Sequence, residues 1–242
     1  PPPDPQDRPR GLVRALTSGR AHPIAVIAEI KRKSPSAGWI RPGDDFDPVS
    51  IACAYADAGA SAISCLTDEK YFGGSASYIQ RIRAQVSLPV LRKDFLVDPW
   101  QIDESRAIGA DGVLLIAECL DDDALDTLAR RAIDLDLDIL FEAHDRENLA
   151  RIVAASAKIP DDRYLIGINN RDLRTMTTDL RHAIDLSRLL GSRDRVVAES
   201  GIRTAQDLRL LQDAGLTIVL VGEHLMRQPD PGRALAELLR AV

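Results

Sequence analysis

Glu29 and Lys31 stand two residues apart at the end of an apolar run, Ala25–Ile30, that breaks into a turn at Ser34-Pro35. Side chains at i and i+2 of a strand point to the same side. The segment therefore carries a carboxylate and an ammonium together off the end of a buried strand. Lysine is scarce in this chain, five residues (Lys31, Lys33, Lys70, Lys93, Lys158) against 26 arginines. Lys93 also ends an apolar run, and a compact ammonium with a movable pKa suits proton transfer where a guanidinium does not. Further polar run-ends are Glu118, Glu142, Asn169, Glu199 with Ser200, and Gly222 with Glu223. Charged groups are seldom buried without partners, so a set of this kind, gathered in one place, pairs internally and with a ligand. Its chemistry is acid–base, with ammonium groups giving protons and carboxylates taking them.

A repeat has to position these groups. Eight apolar runs recur along the chain, at 25–30, 61–66, 89–94, 111–117, 137–143, 164–169, 195–200 and 217–222. Their starts lie roughly 20 to 40 residues apart, room for one helix and two loops each time. The runs are continuously apolar, not alternating, as parallel strands covered on both faces require. Between them, Asp47-Pro48 and Asp98-Pro99 read as N-caps followed by proline at the first helical position, and Asp121, Asp145 and Thr204 as further caps. Gly59, Gly109 and Gly215 fall where a helix stops and a strand begins. Eight β/α units predict a closed TIM (β/α)8 barrel, an α/β fold, and no GxGxxG follows the first strand to favour an open Rossmann sheet. The expected organisation is a proline-rich N-terminal extension over 1–20, with a short helix within 10–18 lying across one end of the barrel, and a single catalytic barrel over 21–242.

The chain has 242 residues, 45% hydrophobic and 28% charged, enough for a full core under a soluble surface. Its net charge of −6 and singly scattered arginines argue against a nucleic-acid surface. An anionic small molecule then needs positive charge concentrated locally. No apolar run approaches the ~20 residues of a membrane span and no signal-peptide pattern is seen, so a cytoplasmic protein is expected. Cys53, Cys65 and Cys119 have no CxxC spacing and read as reduced core residues. A monomer is left open.

In a TIM barrel the site lies at the C-terminal ends of the strands, with phosphate often held after strands 7 and 8 by backbone N–H groups. Gly201 and Gly222 stand in those two loops, and glycine lets the backbone approach an anion closely. His22, His144, His182 and His224 lack metal-ligand spacing and read as surface or supporting residues, so no metal site is expected. Glu118 divides evenly between a site residue and a rim ion pair. Asp68 and Asp94 are expected to support loops or neighbouring lysines. Phe72 and Phe95 are core residues or the walls of an aromatic ligand's pocket.

Taken together, "AEIKRKSPSAG", "YFGGS", "LRKDFLVDPWQI", "LFEAH", "IGINNRDL", "VAESGI" and "VGEHLMR" resemble the indole-3-glycerol phosphate synthase family of tryptophan biosynthesis, from about Ile24 to Arg227. The resemblance implies conversion of 1-(2-carboxyphenylamino)-1-deoxyribulose 5-phosphate to indole-3-glycerol phosphate with loss of CO2 and water, without metal or organic cofactor. By matching position it implies Lys93 as general acid for ring closure, and Lys31 and Glu29 as the acid and base of the dehydration. It further implies Glu142 and Asn169 near the ring-closing centre, Glu199 and Ser200 as active-site groups, and Ser34, Arg171, Gly201, Leu220, Gly222 and Glu223 at substrate or phosphate. Two departures stand out. Family members carry a longer helical extension ahead of strand 1, where only about twenty residues stand here. Some members have serine in place of Glu223, so phosphate contact at that position falls to the backbone.

Three other readings remain beside it. A Schiff-base aldolase would use Lys93 as an amine nucleophile on a sugar phosphate. A phosphoribosylanthranilate isomerase relies on a cysteine and an aspartate at places comparable to Glu29 and Asn169. A non-catalytic barrel would bind its phosphorylated ligand without turning it over.

Overall fold

A computed structural model describes residues 8–18, 22–43, 46–172, 175 and 177–240. The first seven residues of the proline-rich extension and its boundary at 20/21 lie outside those residues. Eight parallel strands form a closed barrel: β1 (Ala25–Ile30), β2 (Ala62–Leu66), β3 (Val90–Lys93), β4 (Gly112–Ile116), β5 (Asp138–Ala143), β6 (Tyr164–Asn169), β7 (Val196–Glu199) and β8 (Ile218–Val221). Each pairs with its neighbour in sequence, and β8 closes onto β1 with Ala25 opposite Ile218 and Ala28 opposite Val221. Every residue of β1 and β5 is buried, as continuous apolar runs between a packed interior and a helical coat must be.

The helices begin where their caps stand. Asp47 accepts from the N–H groups of Val49 and Ser50, with Pro48 at the first helical position. Asp98 caps Pro99–Ala107 and shares a capping box with Gln101. Asp121, Asp145 and Thr204 accept from the N–H groups of Ala124, Asn148 and Asp207. Each such cap is worth about 1 kcal/mol. Gly59, Gly109 and Gly215 all have positive φ, at 94°, 86° and 81°, which is what turns each helix back into the next strand.

Two features flank the barrel, a hairpin that was not legible as an element and a short helix within the 10–18 stretch where one was expected. The segment after β1 forms a small hairpin, pairing Lys33 with Trp39 and Ser34 with Gly38. At the barrel's N-terminal end a helix, Leu12–Thr17, seats Leu12, Val13 and Leu16 among Leu91, Leu114, Leu140 and Leu165 of the interior. Two strand-start aspartates anchor it: Asp111 accepts from the N–H groups of Arg10 and Val90, each at 2.7 Å, and Asp138 from that of Val13 at 2.9 Å. With this end plugged, the open cavity lies at the other. No described helix is long and apolar enough to cross a membrane.

Candidate active site

The inward residues at the C-terminal ends of the strands surround a cavity of about 500 Å³. All fifteen sequence-selected residues line it: Glu29, Lys31, Ser34, Phe72, Lys93, Phe95, Glu142, Asn169, Arg171, Glu199, Ser200, Gly201, Leu220, Gly222 and Glu223. Strand pleating accounts for this, because Glu29, Lys93, Glu142, Asn169 and Glu199 hold inward positions near the ends of five different strands.

At the centre, the Lys93 ammonium donates to Glu142 Oε2 at 3.1 Å and to Glu199 Oε2 at 2.5 Å. Asn169 Nδ2 donates to the other Glu142 oxygen at 3.0 Å. Lys31 Nζ donates to Glu29 Oε1 at 2.6 Å. Glu29, Glu142 and Glu199 are 4%, 3% and 1% exposed, so these pairs are desolvated and their charges act strongly on one another. Burial works against the charge on Lys93, but Glu142, Glu199 and Glu29 outweigh it and raise its pKa. Burial would also raise Glu29, yet Lys31 and Lys93 hold it below the ordinary value. Glu142 is likewise held down, by Lys93 and His144 against burial. Glu199 moves the other way, pushed up by burial and by the charge of Glu142. Neighbouring carboxylates driven apart in this way can serve as one acid and one base at the same pH.

Two of these acids occupy space that glycine leaves. A Cβ on Gly167 of β6 would overlap Glu199 Oε1, and one on Gly222 would overlap Glu29 Oε1. The backbone of Gly222 has φ −128°, outside the left-handed range, and a side chain there would meet the Glu29 carboxylate. Ser200 and Gly201 are both left-handed, with φ 67° and 86°, and Asn170 Nδ2 donates to the Ser200 carbonyl at 3.2 Å. For serine this conformation costs about 1–2 kcal/mol, strain held at the edge of the cavity.

Positive charge concentrates at the β7–β8 side, where Arg171, Arg203 and Arg227 line the cavity. Glu223 Oε2 accepts from Arg171 at 3.1 Å and its Oε1 from Arg227 at 3.0 Å. Burial favours protonated Glu223, but the two arginines outweigh it and lower its pKa. His224 is lowered by burial and by Arg203. Neither Arg203 nor Arg227 was selected from sequence, since single arginines look alike until the loops bring them together.

The structure narrows several open expectations and corrects one on the cysteines. His144 and His224 line the cavity, so of the two readings given for them the surface one does not hold. Phe72 and Phe95 are not core: Phe95 is 40% exposed, and the two rings lie 6.2 Å apart along the mouth. Cys65 is buried, whereas Cys119 is exposed and Cys53 half-buried, so only one of the three free cysteines is a core residue. Asp94 braces Thr67 and Arg92 and Asp68 caps the helix Glu69–Phe72, so of the support expected from them it is the loops that receive it. Lys93 pairs with Glu199 as well as Glu142. Glu118 lines the cavity and also faces His144 at the rim. Among the described residues no three His, Cys, Asp or Glu side chains cluster so as to hold a metal ion.

A closed (β/α)8 barrel with buried ammonium–carboxylate pairs beside a cationic rim belongs to the class of barrel enzymes that act on small anionic molecules. The family profile for indole-3-glycerol phosphate synthase matches residues 4–238. The chain belongs to that family. It is 50% identical over 216 residues to an indole-3-glycerol phosphate synthase of Rhodopirellula baltica, covering 89% of this chain and 80% of that protein. It is 45% identical to the one of Geobacillus thermodenitrificans, with 98% and 89% covered. Among solved structures, a 3-hexulose-6-phosphate synthase from Salmonella typhimurium superposes with a TM-score of 0.69 at 14% identity, over 90% of this chain and 99% of that one, a likeness of fold alone.

Proposed function

We propose that this chain closes the indole ring of 1-(2-carboxyphenylamino)-1-deoxyribulose 5-phosphate, giving indole-3-glycerol phosphate, CO2 and water. The ring carbon bearing the carboxylate attacks the ketone carbon, and Lys93 delivers a proton to the ketone oxygen as it becomes an alkoxide. CO2 then leaves, and its bonding electrons restore the aromatic ring. Finally the new hydroxyl departs as water with a proton from Lys31, while Glu29 takes the proton released as the second double bond forms. Glu142 and Asn169 hold Lys93 toward the ketone, and Ser200 and Glu199 complete the wall behind it. Ser34, Arg171, Gly201 and the backbone at Leu220, Gly222 and Glu223 receive the phosphate end, and Phe72 and Phe95 flank the aryl ring.

The observation that carries this reading is the Lys93 ammonium, held between two buried carboxylates 3.1 and 2.5 Å away. Those carboxylates keep it protonated, ready to donate. The same charges oppose the Schiff-base alternative, which needs the neutral amine. A biosynthetic reaction of this kind fits the cytoplasm. The test is the appearance of indole fluorescence when the protein meets the carboxyphenylamino substrate. Absence of turnover, or a borohydride-trapped adduct on Lys93, would overturn it.

A further inference from the structure

Two titratable groups lining the cavity take no part in those steps. Glu118 lies in the 3-10 turn Ala117–Cys119 after β4, and His144 directly follows β5. Glu142 and His144 are two residues apart and so share the inward side of their strand. The backbone of His144 is fixed twice: its N–H donates to Glu118 Oε1 at 2.7 Å, and its carbonyl lies 2.7 Å from His182 Nε2. The turn bearing Glu118 is fixed as well, because Arg151 donates to the carbonyls of Ala117 at 2.7 Å and Leu120 at 2.6 Å.

This scaffold carries the imidazole between two carboxylates. Nδ1 lies 3.4 Å from Glu118 Oε1 and Nε2 lies 3.7 Å from Glu142 Oε1. Both ring nitrogens are buried, and neither has a hydrogen-bond partner among the described residues. A neutral ring has one N–H and one lone pair, so it would turn a lone pair toward one of the two carboxylates. Only the imidazolium presents an N–H to each. Burial opposes that charge, but Glu118, Glu142 and Glu199 together raise the pKa of His144 above its ordinary value. The groups facing the ring are Glu118 from the turn after β4, Glu142 from its own strand and Glu199 from β7. Lys93 of β3 meets Glu142 through the other carboxylate oxygen, and His182 touches only the backbone of His144.

We propose that His144 is a positioning residue, an imidazolium clasped between Glu118 and Glu142 that aims the Glu142 carboxylate at Lys93 and Asn169 and sets the alkaline edge of turnover. This rests on the reading that Glu142 belongs to the ring-closing centre. Above the His144 pKa the positive charge 3.7 Å from Glu142 Oε1 is lost, and that oxygen is held by Asn169 without it.

The test combines a pH profile with a direct titration. H144Q keeps a side-chain donor but no charge. It is expected to lower kcat by about tenfold, the change that one pKa unit represents, with KM within about twofold, and to lose the alkaline limb of the wild-type profile. E118Q is expected to move that limb to lower pH. In the NMR titration of the wild-type protein His144 should hold its proton to higher pH than an exposed histidine, and E118Q should reduce the difference. A wild-type kcat and pH profile in H144Q, or an ordinary His144 titration unmoved by E118Q, overturns the clasp. Should H144Q fail to fold, E118Q and the titration decide. Full turnover by K93A would remove the ring-closing reading and leave the clasp to the titration, whereas an inactive K93A with an unaltered H144Q removes the clasp alone.

Discussion

Replacing Lys93 by alanine removes the cation that two buried carboxylates share. At an effective dielectric of about 20, an ammonium 3.1 Å from Glu142 and 2.5 Å from Glu199 gains about 5 to 7 kcal/mol of Coulomb attraction from each. Desolvation offsets much of this, and breaking a buried pair from one side costs about 3 to 5 kcal/mol net. Glu199, whose pKa is already raised by burial and by Glu142, relieves part of that cost by taking a proton. The loss in K93A therefore falls near the lower end, and a domain stable by about 5–15 kcal/mol remains folded. Without the cation the carboxylate pKa values rise further. A group whose folded pKa exceeds its unfolded value stabilises below the unfolded pKa and loses that contribution as pH rises through the folded one. K93A should accordingly regain stability on acidification through the neutral range, measured as urea midpoints across pH. Loss of a general acid lowers turnover by about 10² to 10⁴-fold, read from indole fluorescence under single-turnover conditions. A folded K93A with near-normal turnover, or one whose urea midpoint ignores pH, refutes the reasoning.

Other outcomes follow from neighbouring features. G167A and G222A should each displace a carboxylate, Glu199 or Glu29, and cut kcat by about tenfold or more on the general-acid–base scale, while G191A, whose added methyl meets nothing, serves as the silent control. E199Q should remove the decline in wild-type stability as pH rises from the ordinary glutamate range through the raised pKa of Glu199, again read by urea midpoints. The contributions of Glu29 and Glu142, whose pKa values are lowered, run oppositely: present above the ordinary glutamate pKa and lost on acidification, so E29Q should flatten the acid limb of unfolding. D111N, at the plugged end, should cost about 3–5 kcal/mol of unfolding free energy and leave kcat unchanged, because it breaks the buried ion pair with Arg83 and one amide oxygen cannot serve the N–H groups of both Arg10 and Val90.

The strands were legible because each is buried on both faces, which makes an unbroken apolar run with a polar residue where it ends. The caps were legible for a similar reason, since Asp47, Asp98 and Thr204 satisfy N–H groups only a few residues away. Relations across the barrel were not. His144 looked like a lone histidine because both carboxylates that face its ring are set by strand register and a turn. Arg203 and Arg227 were hidden among many arginines, and the pairing of Lys33 with Trp39 is too short to show any period. Cys119 was assigned to the core by type and Phe95 left open between core and pocket wall, because exposure at the mouth of a cavity is not visible in residue type.

Gly167 and Gly222 bear on how other barrels of this kind are to be read. Two of the acids owe their seats to atoms that the adjoining strand does not possess. A related chain could keep every glutamate and lysine and still be inert through a single methyl group on the strand next door. Judging whether a homologue is active therefore means checking hollows along with charges.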